Sequence, residues 1–216
     1  MSLPRLKAGV HALGLDLDDL RLERLLAYLD LLAKWNRAYN LTAIRQREQM
    51  ISRHLFDSLA VLPYLHSGTL LDVGSGAGLP GIPLALADPR RRITVLDSNG
   101  KKTRFLDHVK RELGLDQVTV VRARVEEYVP VTPYAMVISR AFASLDAMIA
   151  SCRHLVAKDG ELLAMKGQYP HDEVDALGGM GWSLSVQELT VPELDEARCL
   201  IRLAPARAGD DGLGPD

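Results

Sequence analysis

The chain has 216 residues, 47% of them hydrophobic, and a net charge of −2, which suits one domain with a substantial core. No apolar run approaches the ~18 residues that cross a bilayer, and Met1 to Val10 lacks the apolar centre of a secretory signal. Cys152 and Cys199 show neither close pairing nor metal-ligand spacing, so the expectation is a cytoplasmic protein with free thiols, no metal and no membrane partner.

Residues 16–62 read as helical. Leu17, Leu20, Leu25, Leu29 and Leu32 recur at intervals of three to five, with Asp16 or Asp18 as the cap. The stretch Trp35 to Ile44 is too polar to continue that helix. A second set, Ile51, Leu55, Leu59 and Leu62, stops at Pro63.

From residue 69 the pattern changes to short β-rich runs: Thr69–Val73, Arg92–Asp97, Gln117–Arg122, Tyr134–Ser139 and Gly160–Lys166. Helical segments Pro80–Ala87, Asn99–Leu113, Leu145–Val156 and His171–Leu177 separate or follow them. Two further strands, Ser183–Leu189 and Arg198–Leu203, close the pattern as a hairpin-like antiparallel pair. Such alternation implies an α/β fold, a seven-stranded and mostly parallel sheet with helices on both faces. The expected organisation is a helical extension over 1–65, an α/β domain over 66–204, and a disordered tail over 205–216, rich in Gly, Asp and Pro.

Charge is unevenly spread. Residues 1–170 carry 23 Lys and Arg against 18 Asp and Glu, and the last 46 residues carry 3 against 10. A phosphate-bearing partner is permitted by this balance without being required. Lys101, Lys102 and Arg104 read as the wet face of an amphipathic helix, and Arg90 to Arg92 as a solvated turn.

The first strand runs into LLDVGSGAGLPGIPL, which holds two overlapping fingerprints. Gly76, Gly78 and Gly81 spell GxGxxG, a dinucleotide signature. Asp72 with Gly74, Gly76 and Gly78 spells DxGxGxG, a nucleoside-binding loop. Glycines let the backbone bend and approach a ligand closely, which serves NAD and S-adenosylmethionine alike. Asp72 discriminates: a carboxylate there suits a cationic ligand and repels a pyrophosphate. Asp97, 23 residues after Gly74, can accept ribose hydroxyls of either ligand. Gly78 and Gly81 also suit plain helix–strand packing. RVEEY, Arg124 to Tyr128, falls where an adenine wall would lie.

The fourth strand ends in SRAF, Ser139 to Phe142. That stretch lacks the Asn- or Asp-Pro-Pro-aromatic loop that orients an exocyclic amine. Cys152 lies mid-helix with no evident base, so attack through a thiolate is disfavoured. A ring nitrogen with a free lone pair needs neither device, only positioning and a suitable field.

WNRAYNLTAI, RHLFDSLAVLPYL, LLDVGSGAGLPGIPLAL, VLDSNGKKTRFL, ISRAFASL and AMKGQYP together resemble the bacterial RsmG (GidB) family, from about Leu32 to Gly167. The resemblance implies a class I methyltransferase (Rossmann-like) fold. It implies S-adenosyl-L-methionine as cofactor, and transfer of its methyl to N(7) of one guanine in the decoding-region loop of 16S ribosomal RNA. The implied partner is that RNA or the small-subunit particle, with the protein acting as a monomer. It also implies that Gly74, Leu79, Val125, Glu126 and Arg140 contact the cofactor, and Asp97 matches the acidic ribose position. Ala77 stands where some members carry Pro, and Leu79 where others carry Phe. No catalytic base follows from the resemblance, and none is assigned.

Asn40 in the connector, Arg53 and His54 on the next helix and Lys166 at the end of strand five are candidates for holding RNA at the carboxyl edge of the sheet. Each has a plainer role open to it: Asn40 as a cap, His54 as packed core, Lys166 as a solvated side chain. Two competing functions share these features, a methyltransferase for a small molecule or protein, and a non-enzymatic nucleotide-binding or ribosome-assembly module.

Overall fold

The computed structural model describes residues 2–177 and 181–206. Helix α1 (Ser2–Ala12) is followed by α2 (Asp19–Tyr39). Asp18 caps α2 by accepting the Arg21 N–H at 2.8 Å. Leu22, Leu25, Leu29 and Leu32 of α2 are buried. Leu20, expected on the same stripe, is 66% exposed; five residues turn a helix through about 500°, which leaves it far from Leu25. The Trp35 segment is helical as far as Tyr39, contrary to the reading of its polarity. Trp35 packs against Phe105 and His108 at centroid distances of 5.6 and 5.2 Å, and that tertiary contact outweighs local composition. Asn40 then closes the helix in the left-handed region, with φ of 49°.

Helix α3 (Arg47–Met50), a π-helical turn (Ile51–Phe56) and α4 (Asp57–Leu59) run on without a break. The sheet follows: β1 (Leu70–Val73), β2 (Ile93–Leu96), β3 (Val118–Val121), β4 (Tyr134–Ser139), β5 (Val156–Lys166), β6 (Trp182–Glu188) and β7 (Cys199–Pro205). Between them lie α5 (Gly81–Ala87), α6 (Gly100–Glu112), α7 (Leu145–Cys152) and α8 (His171–Ala176). The strand order is β3-β2-β1-β4-β5-β7-β6. The first five strands are parallel, and β7 pairs antiparallel with both β5 and β6. β7 reaches Pro205, and the Ala206 N–H donates to the Gly181 carbonyl. The rest of the tail expected to be disordered, 207–216, lies outside the described residues.

Both faces of the sheet are covered, so β1 and β2 are buried at every position. Leu70, Ile93 and Val95 point into one core, shared with α2, α4, α5 and α6. Leu71, Val73 and Leu96 point into the other, under α7. The first core also takes in Leu6 and Val10 of α1. Gly9 lies flat on Phe56, where an added Cβ would meet the ring at 2.0 Å. The N-terminal helices therefore complete the core of the sheet, and the chain reverses strand order between β1 and β4. Ligands of such sheets bind at the carboxyl ends of the strands flanking that reversal.

Candidate functional site

At that edge the glycine loop joins β1 to α5. Asp72 is fully buried beneath it, and its Oδ2 accepts the Gly81 N–H at 2.8 Å. Its Oδ1 has no hydrogen-bond partner among the described residues. Burial pushes the Asp72 carboxyl up to about 7, against the opposing pull of the Gly81 N–H and Arg140. A Cβ on Gly81 would stand 2.7 Å from Val95 and 2.8 Å from Asp72, so this glycine allows close helix–strand packing. Gly74 has φ of +67°, and a Cβ there would lie 2.9 Å from that of Ala141.

Asp97 leaves β2 with both oxygens committed to shaping the loop. Oδ2 accepts the Gly76 N–H at 3.0 Å, and Oδ1 accepts the Asn99 N–H at 2.8 Å. Lys102 Nζ approaches Oδ2 at 3.4 Å, so it belongs to the site and not simply to a wet helix face. From the other side, Tyr28 of α2 donates its hydroxyl to the Ala77 carbonyl at 2.8 Å. Ser139 ties the end of β4 to β1: its Oγ donates to the Val73 carbonyl at 2.8 Å and accepts the Ala141 N–H at 3.0 Å.

These contacts frame a cleft of about 300 Å³ lined by Gly74, Asp97, Val125, Glu126, Ala141 and Phe142. Four of the eight expected cofactor residues, Gly74, Asp97, Val125 and Glu126, meet on its wall. The other four do not. Asp72 and Gly76 act from beneath the loop, through Gly81 and Asp97. Leu79 is buried in the first core, because its side chain anchors the loop against the helices. Arg140 turns away to Asp57, its Nη1 donating to Oδ2 at 2.8 Å. Phe142 and Lys102 also line this cleft; Phe142 is visible in SRAF only as part of the resemblance, and Lys102 is masked by the basic pattern of its helix.

A second cleft of about 400 Å³ adjoins the first, because Arg140 lines one and Ala141 the other. Arg53, His54, Asp57, Lys166 and Arg198 complete its polar wall. Arg198 Nε donates to Asp57 Oδ1 at 2.9 Å and Nη2 to Glu196 at 2.9 Å. Arg53 holds the same Glu196 at 2.5 and 3.2 Å. Lys166 Nζ donates to the Ala143 carbonyl at 3.0 Å and to both oxygens of Glu173. Three of the four RNA candidates thus converge here. Asn40 does not line this cleft; it serves as the C-cap of α2 and its Oδ1 accepts from Arg45 at 3.1 Å.

His54 is 4% exposed and both ring nitrogens are engaged. A carbonyl can only accept, so Nδ1 donates to the Arg53 carbonyl at 3.0 Å, leaving Nε2 to accept the Thr42 hydroxyl at 3.0 Å. Burial lowers its pKa to about 4. The ring braces the connector, with no free nitrogen for a ligand. Cys152 is buried, which pushes its thiol up to about 12, with Glu126 adding to the effect. A thiolate nucleophile has no support there.

The sequence model of the GidB family, rRNA small subunit methyltransferase G, matches residues 21–201. The chain belongs to this family. A relative from Marinobacter nauticus named ribosomal RNA small subunit methyltransferase G is 52% identical over 211 residues, covering 95% of this chain and 98% of its own. One of the same name from Nitrosococcus oceani is 50% identical over 205 residues, covering 95% and 96%. Among solved structures, a DhpI–SAH complex aligns with a TM-score of 0.55 at 20% identity, covering 85% of this chain and 96% of that one. The glycopeptide N-methyltransferase MtfA aligns with a TM-score of 0.60 at 12% identity, covering 73% and 98%. These likenesses establish the Rossmann-like fold of the class I methyltransferases. No helix among the described residues is long and apolar enough to cross a membrane.

Proposed function

We propose that the protein transfers a methyl group from S-adenosyl-L-methionine to N(7) of a guanine in the decoding-region loop of 16S ribosomal RNA, acting in the cytoplasm as a monomer. The observation that carries this reading is the junction of two clefts at the end of β4, in a chain of the rRNA small subunit methyltransferase G family.

The first cleft fits the cofactor. Beneath its glycine loop lies Asp72, whose Oδ1 has no partner among the described residues; in its ionised form this carboxylate favours a cationic ligand over a pyrophosphate. Asp97 Oδ1 accepts one N–H and keeps an acceptor site that a ribose hydroxyl would use, Val125 and Glu126 would line the side of the base, and Gly74 keeps the passage to Ala141 open. Bound there, the cofactor would supply an electrophilic methyl group on a cationic sulfur.

The remaining work falls to the chain. Guanine N(7) already carries a lone pair in the ring plane, and no proton has to leave before it forms a bond to carbon. The protein needs to align the base and exclude water, contributions that come from positioning and from a preorganised field. Ser139 fixes the β4 end against β1, Tyr28 fixes the glycine loop, and Phe142 lines the cleft. Among the described residues, Cys152 is held as a thiol and both nitrogens of His54 are engaged, which fits a transfer that needs no thiolate or free imidazole.

RNA lies over the second cleft. Arg53 contacts it directly by exchanging Glu196 for phosphate, and Asn40 marks the rim of the connector. His54 and Lys166 act as positioning residues, since each is already satisfied inside the protein.

Labelled methyl transfer to naked 16S rRNA, small subunits and a protein extract tests the reading. Label in the RNA is expected. Label confined to protein or to small molecules would favour the first competing function, and RNA binding without transfer the second.

A further inference from the structure

The polar residues of the second cleft form a pattern more specific than a patch of positive charge. Among its cations, Arg53 and Arg198 are held by Glu196, and Lys166 by Glu173. An anion reaches these three groups only by displacing a carboxylate, as phosphate does at Arg53 in the function proposed above. Arg140 is different. Among the described residues its only hydrogen bond is from Nη1 to Asp57, which leaves its other N–H groups available.

Asp57 is fixed from both sides, by Arg140 on Oδ2 at 2.8 Å and Arg198 on Oδ1 at 2.9 Å. Each carboxylate oxygen offers about two acceptor sites, so each keeps one for a ligand. It follows the π-helical turn and lines the cleft although only 6% exposed. Arg140 and Asp57 therefore present a donor next to two acceptors.

We infer that the Arg140–Asp57 pair reads the Watson–Crick edge of the target guanine, and that Asp57 is the specificity-determining residue. This rests on the function proposed above and names the subsite that selects the base. Guanine presents O6, N1–H and N2–H in a row: one acceptor, then two donors. Arg140 answers O6, and the Asp57 carboxylate accepts from N1–H and N2–H, a bidentate match of the kind used to discriminate bases. Adenine offers a donor and then an acceptor at the same places, so its N1 would face the carboxylate without a proton. The grip also leaves the imidazole side of the base, with N(7), untouched and free to face the adjoining cleft at Ala141.

The test uses the full-length protein and 16S rRNA assembled by ligation with guanine or inosine at the target position, both naked and reconstituted into small subunits. Inosine lacks only the N2 amine and keeps N(7). The wild-type kcat/KM should fall roughly tenfold to a hundredfold with inosine, the loss expected for one hydrogen bond to a charged acceptor. In Asp57→Asn, transfer to guanine should fall and the guanine-to-inosine ratio should approach one, while cofactor affinity stays within about twofold. Equal wild-type rates on guanine and inosine would overturn the assignment and leave the proposed function standing. So would an unchanged ratio in Asp57→Asn, the mark of a purely structural ion pair. No transfer to guanine by the wild type would overturn both. If Asp57→Asn fails to fold, the wild-type ratio alone decides.

Discussion

Asp72 is the residue whose chemistry differs most from what its position in the motif suggests. The motif places a carboxylate near a cationic ligand; the structure puts it under the loop, bonded to Gly81 and half-satisfied. Its pKa, raised from 3.8 to about 7, means that the native state holds a proton more tightly than the unfolded chain. The stability from that proton is complete below about pH 4 and is lost as pH rises through 7. An Asn at this position keeps an acceptor for Gly81 and cannot ionise. The Tm of cofactor-free Asp72→Asn, relative to wild type, should therefore increase between pH 4 and 8; a constant difference would show that Asp72 does not titrate in this range. At Gly74 the positive φ and the nearness of Ala141 leave no room for a branched side chain. Gly74→Val should weaken cofactor binding by more than about tenfold, or ~1.4 kcal/mol, in isothermal titration, with the far-ultraviolet spectrum preserved. The glycine loop and Asp97 are legible in the sequence because their roles depend on backbone freedom and on spacing. The direction of Arg140 is not, since it depends on Asp57, which lies 83 positions away.

Among the elements, α2 does more than cover the sheet. Tyr28 is fully buried and holds the Ala77 carbonyl in the loop, so the helix sets the shape of the candidate cofactor cleft. Tyr28→Phe keeps the packing and removes one hydrogen bond, at a cost of about 1 kcal/mol. Cofactor Kd should rise about fivefold with kcat little changed at saturation; an unaltered Kd would reduce Tyr28 to a packing residue. Removing residues 1–60 should yield insoluble protein, because Leu22, Leu25 and Leu29 share one core with Ile82 and Phe105. A soluble, folded fragment in a solubility assay would contradict that. The parallel strands are readable within a few positions, since buried β-branched runs bounded by Gly, Pro and Asp leave few alternatives. Helix α1, the C-terminal turn of α2 and the π-helical turn are not readable. Each is stabilised by partners distant in sequence, such as Phe56 against Gly9 and Phe105 against Trp35.

For the molecule as a whole, the sheet delivers two clefts to one edge, and a single residue step from Arg140 to Ala141 joins them. The net charge of −2 gives no general attraction for RNA, so phosphate contacts have to be local and few. RNA affinity should fall as salt rises, with a log–log slope of only about −2 to −4 as expected for a handful of phosphates; cofactor affinity should hardly respond. A salt-independent RNA affinity would mean that phosphates are not part of the interface. What sets this chemistry apart is the atom that receives the methyl. A guanine methylated at N(7) carries positive charge in its imidazole ring, and borohydride followed by aniline cleaves the strand there. 16S rRNA treated with the enzyme and S-adenosyl-L-methionine should be cut at one guanine of the decoding-region loop, and untreated RNA should remain whole. RNA that gains a methyl group by mass and yet survives aniline intact would rule out N(7) as the acceptor.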